Sequence, residues 1–128
     1  MTTRFVGNGL ICPTLAAIGR SDLAWDLLLT NSYPSWLFPV KNGATTIWER
    51  WDGWTPERGF QDSSMNSFNH YSLGSVGAWL YSGAAGIQPD DDSPGYKHFF
   101  LAPQFTARLA DLKATFDSPY GLIASNWR

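Results

Sequence analysis

The sequence predicts a mostly α chain with a β tail, and three observations carry that prediction. Two helix-patterned segments near the start are joined by only about two residues, a spacing that makes helical neighbours antiparallel. Helical spacing returns between Leu73 and Leu80. After a polar, turn-rich break, "QPDDDSPGYK", the remaining segments read as strands. The length, 128 residues, suffices for one domain with one core.

The first helix is predicted over residues 8–19, with Leu10, Leu15 and Ile18 as its apolar positions and Gly19 as its stop. Pro13 then belongs in the first turn, where its missing N–H does no harm. Ser21 is the expected N-cap of the second helix, with Asp22 near the positive end of its dipole. Such a pair suits a bundle or a ring of helical hairpins.

From Asn31 to about Phe68 the helical pattern breaks. Asn42–Gly43, flanked by β-favouring residues, predicts a hairpin that pairs Trp36–Lys41 with Ala44–Trp48, with Glu49 at or just beyond the strand end. Residues Asp52 to Ser64 are expected to be a long loop, and long loops in compact domains are often functional. Leu73, Val76, Gly77 and Leu80 then fall at i, i+3, i+4 and i+7 of a helix. Gly74, Gly77 and Gly83 cost that helix propensity, which close approach of another backbone would offset. Gly86 is expected to end it.

The polar break is a domain boundary by composition. Beyond it, "HFFLAP", "ARLADLKATFDS" and "GLIASNWR" are the predicted strands, with "DSPYG" as a hairpin turn between the last two. Arg128 falls in mid-strand with no turn or cap, which is the expected appearance of a fragment. No internal repeat or low-complexity segment is present in the sequence.

Composition narrows the partners. Trp, Tyr and Phe number 7, 5 and 8 and make up 16% of the chain, and charged residues also only 16%, against roughly 25% in average soluble domains. Large rings fill cores and also floor carbohydrate sites. A net charge of −2, with no Lys/Arg cluster, argues against nucleic acid and against an anionic membrane surface. Cys12 is the single cysteine, so no internal disulfide is available and the redox compartment is undecided. No apolar run approaches the ~20 residues of a membrane span. Asn8, Gly9 and Pro13 interrupt any signal-peptide core, so a secretion signal, if the protein has one, is expected elsewhere.

The candidate acid–base residues are Glu49, Asp52, Glu57, His70 and His98. Glu49 stands out because Trp48, Trp51 and Trp54 surround it in sequence and would desolvate it, while Arg50 would oppose that effect. The competing account makes Arg50–Asp52 a surface ion pair and leaves Glu49 solvated. His70 comes 21 residues after Glu49 at a predicted helix start, where it can orient the carboxylate, donate to a sugar hydroxyl, or simply make a local hydrogen bond. His98, beside Phe99 and Phe100, is expected to be structural. Asp90–Asp92 lack the glycine and glutamate of an EF-hand loop and read as a solvated linker. Neither zinc spacing nor a nucleophile elbow nor a phosphate loop occurs. No metal and no cofactor are expected.

The stretches "YPSWLFPVKNGATTIWERWDGW", "SMNSFNHYSLGSVGAWLY" and "GIQPDDDSPGYKHFFLAPQ", in order and with their spacing, resemble the bacterial α-L-rhamnosidases, glycoside hydrolase family 78. The resemblance implies an incomplete piece of an (α/α)6 barrel over residues 1–87, followed over residues 88–128 by a linker and the first strands of a C-terminal β-sandwich domain. A whole barrel needs twelve helices of about 11–12 residues, more than this chain holds. It further implies an inverting hydrolase acting on terminal α-L-rhamnose. Glu49, in W-E-R-W, matches the family's general base, and His70, in N-H-Y, lines the rhamnose pocket with Trp48, Trp51 and Asn69. The family's general acid sits in a D-C-P-x-R-x-E-x-x-G-W-x-G-D type segment that no part of this sequence matches. The expected partner is a rhamnose-containing carbohydrate, with the remainder of the catalytic domain needed to complete the site. Rival readings are another (α/α)-barrel glycosidase and a non-catalytic carbohydrate-binding module.

Overall fold

The computed structural model describes residues 5–128, which divide into two compact units, the first running to Val76 and the second from Gly77 to Arg128. In the first unit, α1 (Phe5–Ala17) and α2 (Ser21–Leu29) pack against each other, and α1 also packs on α4 (Tyr71–Gly74). Helix α1 starts earlier than the apolar spacing predicts, so Pro13 lies in its interior rather than its first turn. There it cannot donate to the carbonyl four residues back, a defect the helix tolerates because its neighbours hold it in place. The stop at Gly19 is as expected: at φ +75° it lets Gly19 N–H reach Ala16 O at 3.0 Å and Arg20 N–H reach Leu15 O at 2.7 Å. Those are the two bonds of a Schellman ending. Arg20, not Ser21, occupies the N-cap of α2, and its guanidinium grips Asp22 in the first turn with bonds of 2.9 and 2.8 Å. Ala24 and Trp25 of α2 and Cys12 of α1 are buried there.

The hairpin predicted at Asn42–Gly43 does not form. Residues Leu37–Lys41 are instead a short helix, α3, and no strand covers 44–48. A type I′ turn needs positive φ at both central residues, yet Asn42 has φ −92° and only Gly43 is positive, at +86°. Gly43 N–H bonds Val40 O and Ala44 N–H bonds Pro39 O, both at 3.0 Å, a second Schellman ending. At the other end Ser35 Oγ accepts the Phe38 N–H at 3.1 Å. Pro39 falls in the first turn of α3, where its missing donor is not required. The expected long loop contains a miniature hairpin, β1 (Trp54–Thr55) with β2 (Gly59–Phe60), and a 3₁₀ turn at Ser63–Met65.

The single helix predicted through Leu73–Leu80 is instead broken into α4, α5 (Val76–Trp79) and a π-helical turn at Leu80–Ala84. Gly83 lets the Trp79 indole lie against the turn: a Cβ there would stand 2.2 Å from Trp79 Nε1. The close backbone approach comes at Gly86, which ends the segment as expected. Its ideal Cβ would lie 2.1 Å from Pro103 N, and its φ is +71°.

The second unit continues with β3 (Ile87–Pro89), paired antiparallel with β4 (Phe99–Leu101), and then β5 (Leu112–Ser118), paired antiparallel with β6 (Gly121–Trp127). Strand β5 begins at Leu112, so residues 107–111 of the predicted strand lie outside it. The Ser118–Gly121 turn forms where expected; Ser118 Oγ donates to Gly121 O at 2.7 Å and accepts Tyr120 N–H at 3.2 Å. Along β6, buried Ile123, Ser125 and Trp127 alternate with exposed Leu122, Ala124 and Asn126, the period of a strand with one covered face. Ala85, Ile87 and Ile123 form the centre of this core, with Tyr96, Phe99, Leu112, Ala114 and Phe116 around it. Ser125 Oγ and Trp127 Nε1 donate to Ala85 O and Ala84 O at 2.6 and 3.0 Å, which ties β6 to the end of the π-helical turn. No described helix is long and apolar enough to cross a membrane.

Candidate active site

Two stretches of the first unit run side by side and carry the candidate residues. Glu49 N–H donates to Ser67 O at 2.8 Å, and His70 N–H donates to Ile47 O at 2.9 Å. Thr46 Oγ1 adds a bond to Phe68 O. These ties bridge the 21-residue gap between Glu49 and His70 without a regular ladder, so no strand pattern announces them.

The Glu49 side chain is only 12% exposed, so it is neither solvated nor fully enclosed. Its two oxygens have different surroundings. Oε2 accepts the Ser67 N–H at 2.8 Å, whereas Oε1 faces His70 Nε2 at 3.9 Å, beyond a direct hydrogen bond. His70 in turn is the N-cap of α4: its Nδ1 accepts the Ser72 N–H at 3.2 Å. A ring nitrogen that accepts carries no proton, so the neutral ring holds its proton on Nε2, the side toward Glu49. The Tyr71 ring stacks on the imidazole at 5.2 Å with an interplanar angle of 19°.

Arg50 does not pair with Glu49. Its Nε lies 3.4 Å from Asp52 Oδ1, and Arg58 Nη2 lies 3.1 Å from Asp52 Oδ2. The Arg50–Asp52 pair anticipated as a surface feature therefore exists, but its acid is interior: the Asp52 side chain is 10% exposed. Glu57 is exposed. His98 lies in the other unit, where its Nδ1 and Asp90 Oδ2 are 2.7 Å apart. Asp92 N–H and then His98 hold the Asp90 carboxyl below its usual range. That pair closes the β3–β4 connection, and among the described residues no further acid–base side chain pairs with it. Among the described residues, no three His, Cys, Asp or Glu side chains gather as a metal site.

The tryptophans divide their labour. Trp48 is 6% exposed and meets Phe68 edge to face at 5.1 Å, so it supports the Glu49 segment from within. Trp51 is half-buried and meets Trp36 edge to face at 5.0 Å; Trp36 Nε1 donates to Leu73 O at 2.9 Å. A recess of about 530 Å³ is lined by Ile47, Asn69, His70, Tyr71, Gly74 and Ser75. Asn69 is exposed, and Glu49 is not among the residues that line this recess. Sequence reasoning did not find Ser67 or Ser72. Both act through backbone N–H groups, which any residue type but proline supplies, so no side-chain motif marks them.

Comparison with known proteins covers the whole chain. Residues 1–84 match the family described as the bacterial alpha-L-rhamnosidase 6 hairpin glycosidase domain, and residues 86–128 match the bacterial alpha-L-rhamnosidase C-terminal domain. An alpha-L-rhamnosidase of Alteromonas sp. (strain LOR) is 39% identical over 99% of the chain and 14% of its own length. The crystal structure of the Streptomyces avermitilis enzyme, complexed with L-rhamnose, is similar over all of this chain and 12% of its own, at 41% identity and a TM-score of 0.91. The native enzyme of Aspergillus terreus is similar at 35% identity and a TM-score of 0.92, over 99% of this chain and 14% of its own. The chain thus spans 12–14% of the length of these relatives.

Proposed function

The chain belongs to the bacterial α-L-rhamnosidases, residues 1–84 to their six-hairpin glycosidase domain and residues 86–128 to their C-terminal domain, and from that premise we propose that it carries the base side of an inverting glycosidase site. The substrate is a terminal, non-reducing α-L-rhamnosyl group on an oligosaccharide or glycoside, a reading supported by the relative complexed with L-rhamnose. The helical hairpin and its followers belong to an (α/α)6 barrel up to residue 87; the strands beyond open a β-sandwich.

Glu49 is the general base. Its Oε2 is held by the Ser67 N–H, which leaves Oε1 to take a proton from water as that water's oxygen attacks the anomeric carbon. The leaving oxygen departs from the opposite face and needs a proton of its own. A carboxylic acid elsewhere in the parent polypeptide supplies it, about 6.5–9.5 Å from Glu49, the separation that leaves room for water and so inverts configuration. His70 and Asn69 bind rhamnose hydroxyls, and Trp51 and Trp48 shape the pocket wall. By itself this 128-residue chain is inactive, because it holds the base without the acid.

The observation that carries this proposal is the asymmetry of the Glu49 carboxylate: one oxygen is fixed by a backbone donor, and the other faces an imidazole. The test is Glu49→Gln in the full-length enzyme bearing this segment, assayed by nitrophenol release from an aryl α-L-rhamnoside. Glutamine keeps the Ser67 bond and loses basicity, so kcat should fall about 10²–10⁴-fold with binding retained. Azide should partly rescue Glu49→Gly and yield the β-configured rhamnosyl azide. Near-wild-type kcat in Glu49→Gln sinks the assignment.

A further inference from the structure

Asn42–Gly43 ends α3 instead of turning a hairpin, and the proposed sugar site uses neither residue. The pair carries a chemistry of its own. A glycine after asparagine puts no side chain in the way of its amide nitrogen, which can attack the asparagine side-chain carbon, Cγ. In this structure the groups that would react are held apart. Gly43 N, the nucleophile, donates its hydrogen to Val40 O at 3.0 Å. Asn42 Nδ2, the leaving group, donates to Phe38 O at 3.0 Å. Asn42 ψ is 18°, which sets Gly43 N nearly eclipsed with the Asn42 backbone nitrogen and turns it away from the side chain it would attack. Ala44 N–H closes the ending on Pro39 O at 3.0 Å. Burial adds little to this restraint: Gly43 is exposed and Asn42 half-buried, so water and base reach the pair once the ending opens.

We propose that Asn42 is a deamidation site locked by the hydrogen bonds that end α3, so that it reacts only through opening of that ending, and that its product weakens the lock. When the ending opens, base removes the Gly43 amide proton and Gly43 N bonds to Asn42 Cγ. The Cγ–Nδ2 bond breaks, and Nδ2 takes up a proton and leaves as ammonia. Water then adds to one of the two carbonyls of the five-membered imide. Opening on one side gives aspartate; opening on the other gives isoaspartate, with the main chain routed through Cγ and one methylene longer. Water is the only co-reactant. Either product replaces the Nδ2 donor by a carboxylate oxygen against Phe38 O and puts a negative charge at a helix C-terminus, where the dipole disfavours it. The longer isoaspartyl chain also shifts the register of the Gly43–Val40 and Ala44–Pro39 bonds. The proposal is independent of the roles given to Glu49 and His70.

The nucleophile supplies the test, because the Gly43 amide is also a group whose hydrogen exchange can be followed. Breaking its bond to Val40 O is required for both processes, so both should be slowed by the same opening equilibrium. The full-length protein is aged at pH 8, native and in urea, and peptide mass spectrometry with isoaspartate detection measures conversion at Asn42. Exchange at Gly43 is measured on the native protein in parallel. Deamidation should be more than tenfold slower in the native protein than in urea, and its protection should match that of the Gly43 amide within about threefold. Ser35→Ala removes the acceptor of the Phe38 N–H at the other end of α3 and should speed both processes about fivefold, the effect of one lost cap. Asn42→Asp, which mimics one product, should speed exchange at Gly43 and Ala44. Native deamidation at the urea rate would show that there is no lock. Deamidation protected far more strongly than the Gly43 amide, or unmoved by Ser35→Ala while exchange accelerates, would place the protection elsewhere and overturn the proposal. Unchanged exchange in Asn42→Asp would overturn the claim that the product weakens the lock.

Discussion

Gly86→Ala and Gly19→Ala form a matched pair whose difference can be worked from geometry. Both glycines have left-handed backbone, at φ +71° and +75°, so both substitutions meet the same intrinsic cost of about 1–2 kcal/mol. At Gly19 nothing lies within 4 Å of the added methyl, and the cost ends there. At Gly86 the methyl would stand 2.1 Å from Pro103 N, 2.3 Å from Ala102 C and 2.5 Å from Pro103 Cα. These are backbone atoms and cannot rotate aside. The chain at 102–103 must retreat, which stretches the Ala102 N–H bond to Gly86 O, now 2.9 Å. Losing that bond costs about 1 kcal/mol, and overpacking adds about 1–3 kcal/mol. Gly86→Ala should therefore destabilise its surroundings by about 2–4 kcal/mol more than Gly19→Ala does. Hydrogen–deuterium exchange of the full-length protein, read by mass spectrometry over 83–104 and over 15–24, compares the two sites directly. The Ala102 amide and the Gln104 amide, which bonds Gly83 O at 2.9 Å, should exchange faster in Gly86→Ala by more than tenfold. Equal acceleration at the two sites would refute the contact argument.

Other outcomes follow from the same structure. A polypeptide of these 128 residues alone should release no nitrophenol from an aryl α-L-rhamnoside, and turnover of roughly 1 s⁻¹ or more would show that it holds its own acid. Cys12 is 1% exposed, and burial pushes its thiol up to about 11 from 9.0. At pH 8 its alkylation in the native full-length protein should be at least ~100-fold slower than in urea, because the thiolate is the nucleophile; peptide mass spectrometry of the modified residue measures the ratio.

Local signals with one structural meaning were legible. The Ser118–Gly121 turn and the alternation of β6 follow directly from their residues, as does the stop at Gly19, where the positive φ has one use. Signals with two meanings misled. A glycine at positive φ serves a hairpin turn and a helix ending equally, and at Asn42–Gly43 the choice was made by the Ser35 cap and by Pro39 sitting where a helix needs no donor. Sequence spacing had no means of weighing those. The helix expected through Leu73–Leu80 kept its position but not its continuity: it breaks at Ser75 and passes into a π-helical turn at Leu80. Of the site, Glu49 and His70 were legible as chemically notable residues. What holds them was not, since Ser67, Ser72 and Ile47 contribute backbone groups that carry no residue signature.

An acid placed among tryptophans and next to an arginine raises an electrostatic problem, which Asp52 resolves. The base role proposed for Glu49 requires an available lone pair, and a guanidinium paired to Glu49 would hold that lone pair in an ion pair. Arg50 is adjacent in sequence, and Arg58 is in the same loop. Both are drawn instead to Asp52, at 3.4 and 3.1 Å, an acid whose burial is tolerable because two cations meet it. Glu49 is left with neutral neighbours: a backbone N–H on Oε2 and an imidazole facing Oε1. The tryptophans act one layer out. Trp48 against Phe68 holds the Glu49 stretch from within, and Trp51 against Trp36 joins it to the α4 carbonyl that Trp36 caps, at Leu73. The aromatic excess in this segment thus does for Glu49 what a regular strand would otherwise do: it fixes a carboxylate on irregular backbone without adding a charge against either of its oxygens.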